Sequence, residues 1–261
     1  MTATDRFRAL HQADELFVMP NAWDVGSARL LEHLGFGAIA TTSSGSAAAR
    51  GRLDGELDRA TAVGHGAELA AAVGIPVSAD LENCFADAPE GVAETIAAAV
   101  AAGLAGASVE DWSGSAIYER EHAAERVRAA VEAAAGRLVI TARAENLIRG
   151  RDDLDDTIAR LQSFAAAGAE VLFAPGLRSA EQVRAVLSSV ETPVSVLVVP
   201  GVPPVGELAE LGVRRVSIGG AFAFASYGAL VRAAREILDA GTYGYAELAA
   251  LGRETIGAAF R

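Results

Sequence analysis

Three apolar stretches of the sequence end in carboxylates, and one of them also carries an arginine. They read Val77-Ser78-Ala79-Asp80-Leu81-Glu82-Asn83, Ser108-Val109-Glu110-Asp111 and Thr141-Ala142-Arg143-Ala144-Glu145-Asn146. Ionisable groups are rare inside apolar runs because burying a charge is costly, so their presence marks chemistry or pairing. If the runs are strands, side chains alternate between faces. Asp80 and Glu82 then share a face, parity with Ser108 turns Glu110 inward, and Arg143 and Glu145 make a third inward pair. Carboxylates from adjacent strands repel strongly in a low-dielectric mouth unless a cation joins them. Oxygen-only ligands, with no His or Cys at these positions, suit Mg²⁺, or Mn²⁺, better than zinc. The same spacing also permits a buried ion-pair network between Arg143 and the acids that needs no metal.

A hydroxyl-rich segment, Thr41-Thr42-Ser43-Ser44-Gly45-Ser46, reads as a loop whose backbone N–H groups could hold a carboxylate or phosphonate. Asp54 follows in Arg50-Gly51-Arg52-Leu53-Asp54-Gly55-Glu56, and from a long connection it could reach the same mouth. Tyr118 is a candidate proton carrier, provided that neighbours lower its pKa. Cys84 has two readings, a proton donor or a small apolar filler. His11, His33, His65 and His122 fall in helical or N-terminal segments and read as structural or solvent-facing. The acidic run Asp152–Asp156 reads as the first turn of a helix, where carboxylates favour the dipole.

The elements that must position these groups alternate regularly. Apolar, β-branched runs recur at Leu16–Asn21, Ala38–Ser43, Pro76–Glu82, Gly106–Asp111, Leu138–Glu145, Glu170–Gly176, Val194–Pro200 and Arg215–Gly220. Helical stretches rich in Ala, Arg and Glu separate them, stopped by Gly35, Gly74, Gly103, Gly136, Gly168 and Gly212. Eight strand–helix units in one chain of 261 residues predict a closed parallel (β/α)₈ barrel, an α/β TIM-barrel fold, as a single domain over residues 1–261. Catalytic groups should then lie at the carboxyl ends of the strands, where the acids fall. An open doubly wound sheet is the alternative, but Pro20-Asn21-Ala22-Trp23-Asp24 follows the first run where a glycine-rich turn is wanted. Residues Tyr243–Arg261 predict an extra C-terminal helix with Leu248, Leu251, Ile256 and Phe260 on an apolar face, suited to a partner subunit.

Composition narrows the chemistry further. A formal charge of −12 argues against nucleic acid and anionic membranes as partners. The N-terminus reads as neither signal peptide nor anchor, so a cytoplasmic location is expected. A single cysteine rules out an intrachain disulfide and any Cys-rich metal site. All 22 basic residues are arginine. Without lysine there is no Schiff-base catalysis, no pyridoxal phosphate linkage and no phosphate-loop lysine.

Taken in order, Pro20–Asp24, Thr42–Gly45, Ala79–Asn83, Val109–Asp111, Thr141–Asn146, Gly168–Phe173 and Leu211–Ser217 resemble the isocitrate lyase/phosphoenolpyruvate mutase superfamily over nearly the whole chain. The resemblance implies Mg²⁺ at the barrel mouth, with Asp80 as direct ligand and Glu82, Glu110 and Asp54 holding its water shell. It implies that Arg143, the Thr42 hydroxyl and the backbone of Ser43, Ser44 and Gly45 grip the substrate's carboxylate and oxo oxygens. It also implies a homo-oligomer, a dimer or a tetramer that exchanges the C-terminal helix. Two departures stand out. The lyase loop Lys-Lys-Cys-Gly-His is replaced by Asp111-Trp112-Ser113-Gly114-Ser115-Ala116-Ile117-Tyr118, and the mutases' loop lysine is missing. The usual Gly-Tyr-Gly is Cys84-Phe85-Ala86, which would alter the backbone if positive φ is needed there.

The expected activity is that of a Mg²⁺-dependent lyase or decarboxylase. It would cleave a C–C bond beside the carbonyl or hydroxyl of a small 2-oxo or 2-hydroxy (di)carboxylate through an enolate, with Arg143, Glu110, Asp54 and Tyr118 as catalytic candidates. The alternatives are P–C chemistry, as a phosphonomutase or phosphonopyruvate hydrolase, and a barrel that binds 2-oxo acids without turnover.

Overall fold

The first apolar run is not one strand but two, and the division closes the barrel. A computed structural model, describing residues 1–261, places β1 at Phe17–Met19 and β2 at Asn21–Ala22. Pro20 between them has no N–H to give to a ladder, which ends one pairing and begins another. β1 pairs with β9 (Arg215–Ser217), and β2 pairs with β3 (Ile39–Thr41). The sheet continues through β4 (Val77–Asp80), β5 (Gly106–Glu110), β6 (Val139–Arg143), β7 (Val171–Phe173) and β8 (Val194–Leu197), every pair parallel. The nine strands make a nearly closed barrel whose two end strands are consecutive in the chain. Asn21 clasps this seam. Its Nδ2 donates to the Thr41 carbonyl at 2.7 Å, and its Oδ1 accepts from Ser217 Oγ, Ile218 N and Gly219 N at 3.1, 3.2 and 2.8 Å.

Eleven helices surround and cap the strands. α1 (Ala3–Gln12) precedes the barrel and plugs its lower end with Phe7, which lies so close to Gly106 that an added Cβ would stand 2.5 Å from the Phe7 ring. α2 (Val25–His33) follows the seam. The segment read as a hydroxyl-rich loop is instead a short helix, α3 (Ser43–Ala49), because the Thr42 side chain caps it by accepting from Gly45 N. The outer layer continues with α4 (Arg59–Ala72), α5 (Pro89–Ala101), α6 (Arg120–Ala134), α7 (Leu154–Ala166), α8 (Ala180–Leu187) and α9 (Val205–Leu211). Asp153 caps α7 and Asp155 and Asp156 occupy its first turn, as the acidic run predicts.

α10 (Ala221–Ala240) follows the last strand and completes the eighth strand–helix unit, and α11 (Ala246–Ala259) is the expected extension beyond the barrel. α10 buries only Ala223, and α11 buries nothing. α11 meets α2 of its own chain, where the Arg29 guanidinium lies 5.0 Å from the Phe260 ring centre.

At the lower end His11 is 3% exposed, held between Phe7 and Phe17 with ring centres 4.6 and 5.0 Å away. Its Nδ1 donates to the Phe7 carbonyl at 2.8 Å, leaving Nε2 to accept from Arg215 Nη1 at 3.2 Å. That pattern requires the neutral imidazole. Burial, and then the charge of Arg215, push its pKa down to about 3. The folded value lies below the ordinary 6.5, so this contribution is complete above pH 6.5 and is lost as pH falls from there towards 3. Between pH 7 and pH 5 the protein should lose about 2 kcal/mol that a His11→Gln variant keeps. Urea denaturation of both proteins at the two pH values measures this, and equal losses would show that His11 is not the titrating group.

Candidate active site

The carboxyl ends of β4, β5 and β6 bring the acids and the arginine of the sequence patterns together. Asp80 ends β4, where its Oδ1 accepts from Arg143 Nη1 at 3.0 Å and Ser108 Oγ at 3.3 Å. Its Oδ2 accepts from Ser43 N at 3.2 Å. Arg143 Nη2 lies 3.2 Å from Glu110 Oε2 and 2.8 Å from Glu145 Oε1, so three carboxylates share one guanidinium. Burial opposes the charge on Arg143, but Glu145, Glu110 and Asp80 outweigh it and raise its pKa above the ordinary value. Glu110 is buried enough that its pKa rises well above the carboxylate range despite Arg143.

Two chambers lie side by side here. The inner one, a cavity of about 220 Å³, is lined by Thr42, Ser43, Ser44, Asp80 and Arg143 among others. The outer one, of about 390 Å³, holds Glu82, Glu110, Trp112 and Arg149, and Asp54 lines both. Arg149 was not singled out by sequence pattern. It lies 3.4 Å from Glu145 Oε2 and 3.8 Å from Glu110 Oε1, with its guanidinium 4.8 Å from the Trp112 ring centre.

Glu82 departs from strand parity. β4 ends at Asp80, and Glu82 sits in the following turn with φ 50°. Burial, then the charges of Asp80 and Asp54, push its pKa up to about 7. Around the two chambers five carboxyl groups, those of Asp54, Asp80, Glu82, Glu110 and Glu145, face three guanidiniums, those of Arg143, Arg149 and, deeper in the inner one, Arg215. The ion-pair network of the sequence reading exists, and in number the acids still exceed the arginines. No three acidic, His or Cys side chains converge closely enough to enclose an ion. By the chemistry of its donors, an all-oxygen set of this kind suits Mg²⁺ or Mn²⁺ better than zinc.

The capped turn at α3 offers less than its sequence suggests. Ser43 N is given to Asp80 and Gly45 N to Thr42 Oγ1 at 3.3 Å, while Thr42 Oγ1 and Ser44 Oγ share a hydrogen at 3.1 Å. Ser44 N and the two hydroxyls are what remain for a ligand. Gly45 itself has no room for a side chain, since an added Cβ would stand 2.6 Å from Thr42 Cγ2 and 3.1 Å from Trp23 Cβ.

Tyr118 does not reach either chamber. Its hydroxyl donates to Asp87 and accepts from Asn83 Nδ2, and its ring lies 4.3 Å from the Arg126 guanidinium. Burial and the bond to Asp87 raise its pKa, the opposite of what a proton carrier needs. Cys84 is fully buried among Leu81, Val92 and Ile96, where burial pushes the thiol up to about 12. It is a filler.

The family model described as phosphoenolpyruvate phosphomutase matches residues 7–238. The chain belongs to the phosphoenolpyruvate mutase/isocitrate lyase superfamily. An uncharacterized protein of Mycobacterium tuberculosis (strain ATCC 25618 / H37Rv) is 34% identical over 239 residues, 89% of each chain. A crystal structure from Burkholderia cenocepacia J2315, described only by the class lyase/mutase, superposes with TM-score 0.94 at 48% identity, covering 97% of this chain and 94% of that one. The 2-methylisocitrate lyase of Halalkalibacterium halodurans is 29% identical over 199 residues, 72% of this chain and 65% of its own. Matched superfamily members also include 2,3-dimethylmalate lyase, oxaloacetate decarboxylase, oxaloacetate acetylhydrolase and phosphoenolpyruvate phosphomutase. A superfamily of lyases and mutases supports enzymatic activity for this chain.

Against the superfamily pattern, the segment Asp111–Tyr118 forms a small hairpin bridged at Trp112 and Ile117, without lysine or cysteine. At Cys84-Phe85-Ala86 the chain has side chains where the superfamily pattern has glycines, and the backbone there is left-handed all the same. Cys84 and Phe85 adopt φ 60° and 57°, a left-handed backbone that side-chain residues rarely take. The fully buried Arg126 holds this backbone. Its Nη2 donates to the carbonyls of Asn83 and Ala86, the latter at 3.0 Å, and its Nη1 to that of Glu110 at 2.9 Å. Arg126→Met would leave three carbonyls without their charged donor and release the strain. The expected loss is on the order of 3 kcal/mol by urea denaturation. A loss below about 1 kcal/mol would show that the turn holds itself.

Proposed function

We propose that this protein is a Mg²⁺-dependent carbon–carbon lyase or decarboxylase acting on a small 2-oxo or 2-hydroxy dicarboxylate such as oxaloacetate or a malate-like acid. The observation that carries the reading is the unbalanced carboxylate cluster around Asp80, facing the same cavity as Arg143. Asp80 would hold Mg²⁺ directly, with Glu82, Glu110 and Asp54 orienting its water shell. Bound there, the ion would supply Lewis-acid polarisation of the substrate's oxo or hydroxyl oxygen. Ser44 N and the Thr42 and Ser44 hydroxyls would bind the neighbouring carboxylate. Arg143, kept protonated by its three acids, would neutralise charge as it develops on the enolate when the adjacent bond breaks. Tyr118 is left out of the reaction, since its hydroxyl is occupied away from the cavity.

The decisive assay follows 2-oxo-acid product from oxaloacetate with and without Mg²⁺, using Asp80→Ala as background because Mg²⁺ alone decarboxylates oxaloacetate slowly. A clear Mg²⁺-dependent excess of the wild type over the variant is expected. No excess would remove oxaloacetate as substrate. Phosphorus–carbon chemistry at the same site is the second reading, favoured by the description of the matching family model and opposed by the absence of lysine. Phosphate release from phosphonopyruvate would identify it.

The protein is further proposed to be a cytoplasmic homo-oligomer. No helix is long and apolar enough to cross a membrane. Phe224, Leu230 and Leu238 on α10 are 53%, 64% and 83% exposed, and α11 exposes Leu248 and Leu251. Apolar side chains grouped in this way call for cover, which a second copy exchanging α11 would provide. Sedimentation equilibrium should give a dimer or a tetramer, and a monomer at micromolar concentration would defeat the proposal.

A further inference from the structure

The inner cavity has a floor as well as a mouth, and the floor is cationic. Arg215, the first residue of β9, lines the cavity yet is only 2% exposed. All its bonds go to neutral partners: Nε to Ser195 Oγ at 2.9 Å, and Nη1 to Thr141 Oγ1 and His11 Nε2, both at 3.2 Å. The other buried arginines are compensated. Arg160 reaches Asp111 and Asp156, and Arg126 reaches three carbonyls. Arg215 has neither, and the only charge acting on it strongly is the like charge of Arg143. Its Nη2 has no hydrogen-bond partner.

A buried guanidinium without an acid is expensive to keep, and burial together with Arg143 lowers its pKa to about 9. An anionic ligand would complete it. We infer that Arg215 is the receptor for a second anionic group of the substrate, so that the site selects dianionic acids over monocarboxylates of equal length. The inference rests on the proposed reaction only for the first anchor, the oxygens held at the mouth. Thr141 and Arg143 stand two residues apart on one face of β6, which sets Arg215 about 7 Å deeper along the wall than the base of Arg143. That is a span suited to a short diacid, with one end at the mouth and the other on the floor.

The test is calorimetric titration of the full chain, in Mg²⁺, with malate and with 2-hydroxybutyrate, which differ only in the distal carboxylate. The wild type should bind malate at least about tenfold more tightly, as a charge-assisted pair would give. In Arg215→Gln the preference should fall to about unity with 2-hydroxybutyrate affinity little changed, and Arg215→Lys should retain part of it. Equal affinities in the wild type, no binding of either acid, or an undiminished preference in Arg215→Gln would each overturn the inference. Should the Gln variant not fold, the wild-type ratio and the Lys variant still decide. An Arg215-dependent preference for malate in a protein that turns over no oxaloacetate would remove oxaloacetate as substrate and leave the receptor standing.

Discussion

The mouth of this barrel depends on one guanidinium. Asp80, Glu110 and Glu145 arise on three consecutive strand ends, and in an apolar surround their mutual repulsion would force them to take up protons or push the strands apart. Arg143, at the end of β6, stands within 3.2 Å of all three. It lets the acids approach without cancelling them. Arg149 joins it against Glu110 and Glu145, so that the acids around the two chambers are held close by paired charges while still outnumbering the arginines.

Charge is therefore distributed unevenly around the cavity. Acids cluster on the β4–β6 wall, the uncompensated Arg215 lies on β9, and the neutral clasp of Asn21 joins the two sheet ends between them. One end of this space is thus rich in acids, and the other carries a guanidinium with no acid beside it. α1 matters for the same reason. It closes the lower opening with Phe7 and presents His11 as a neutral acceptor, so water does not screen Arg215 from below.

Much of this was legible in the sequence wherever one residue type had to break a pattern. Asp80, Glu110 and Arg143 stand out as charges within apolar runs, and the alternation of runs and helices leads to the barrel. Pro20 was equally visible, but a single proline inside an apolar run does not say whether it ends a strand or divides one; only pairing with two different neighbours does. Thr42–Ser46 reads as a loop because serine and glycine are poor helix formers, and the cap on Gly45 N reverses that weak preference. Arg126 looks like any arginine on a charged helix, since nothing local reveals that its turn faces two carbonyls of a strained loop and one at the end of β5. Arg215 obeys the same rule that exposes Arg143, yet its place at the start of a run makes it resemble a flanking charge. Tyr118 fails as a proton carrier through Asp87, a partner 31 residues away that sequence proximity does not suggest.

The solitary cysteine carries a last consequence. Cys84 is completely enclosed, with its hydroxyl-bearing neighbour Thr95 bonded to its carbonyl at 2.7 Å. Thiol reagents can meet it only when the wall between β4 and α5 opens. The rate at which a colourless native protein takes up a coloured thiol label thus times the breathing of the barrel, with no mutation and no second thiol to confuse the record.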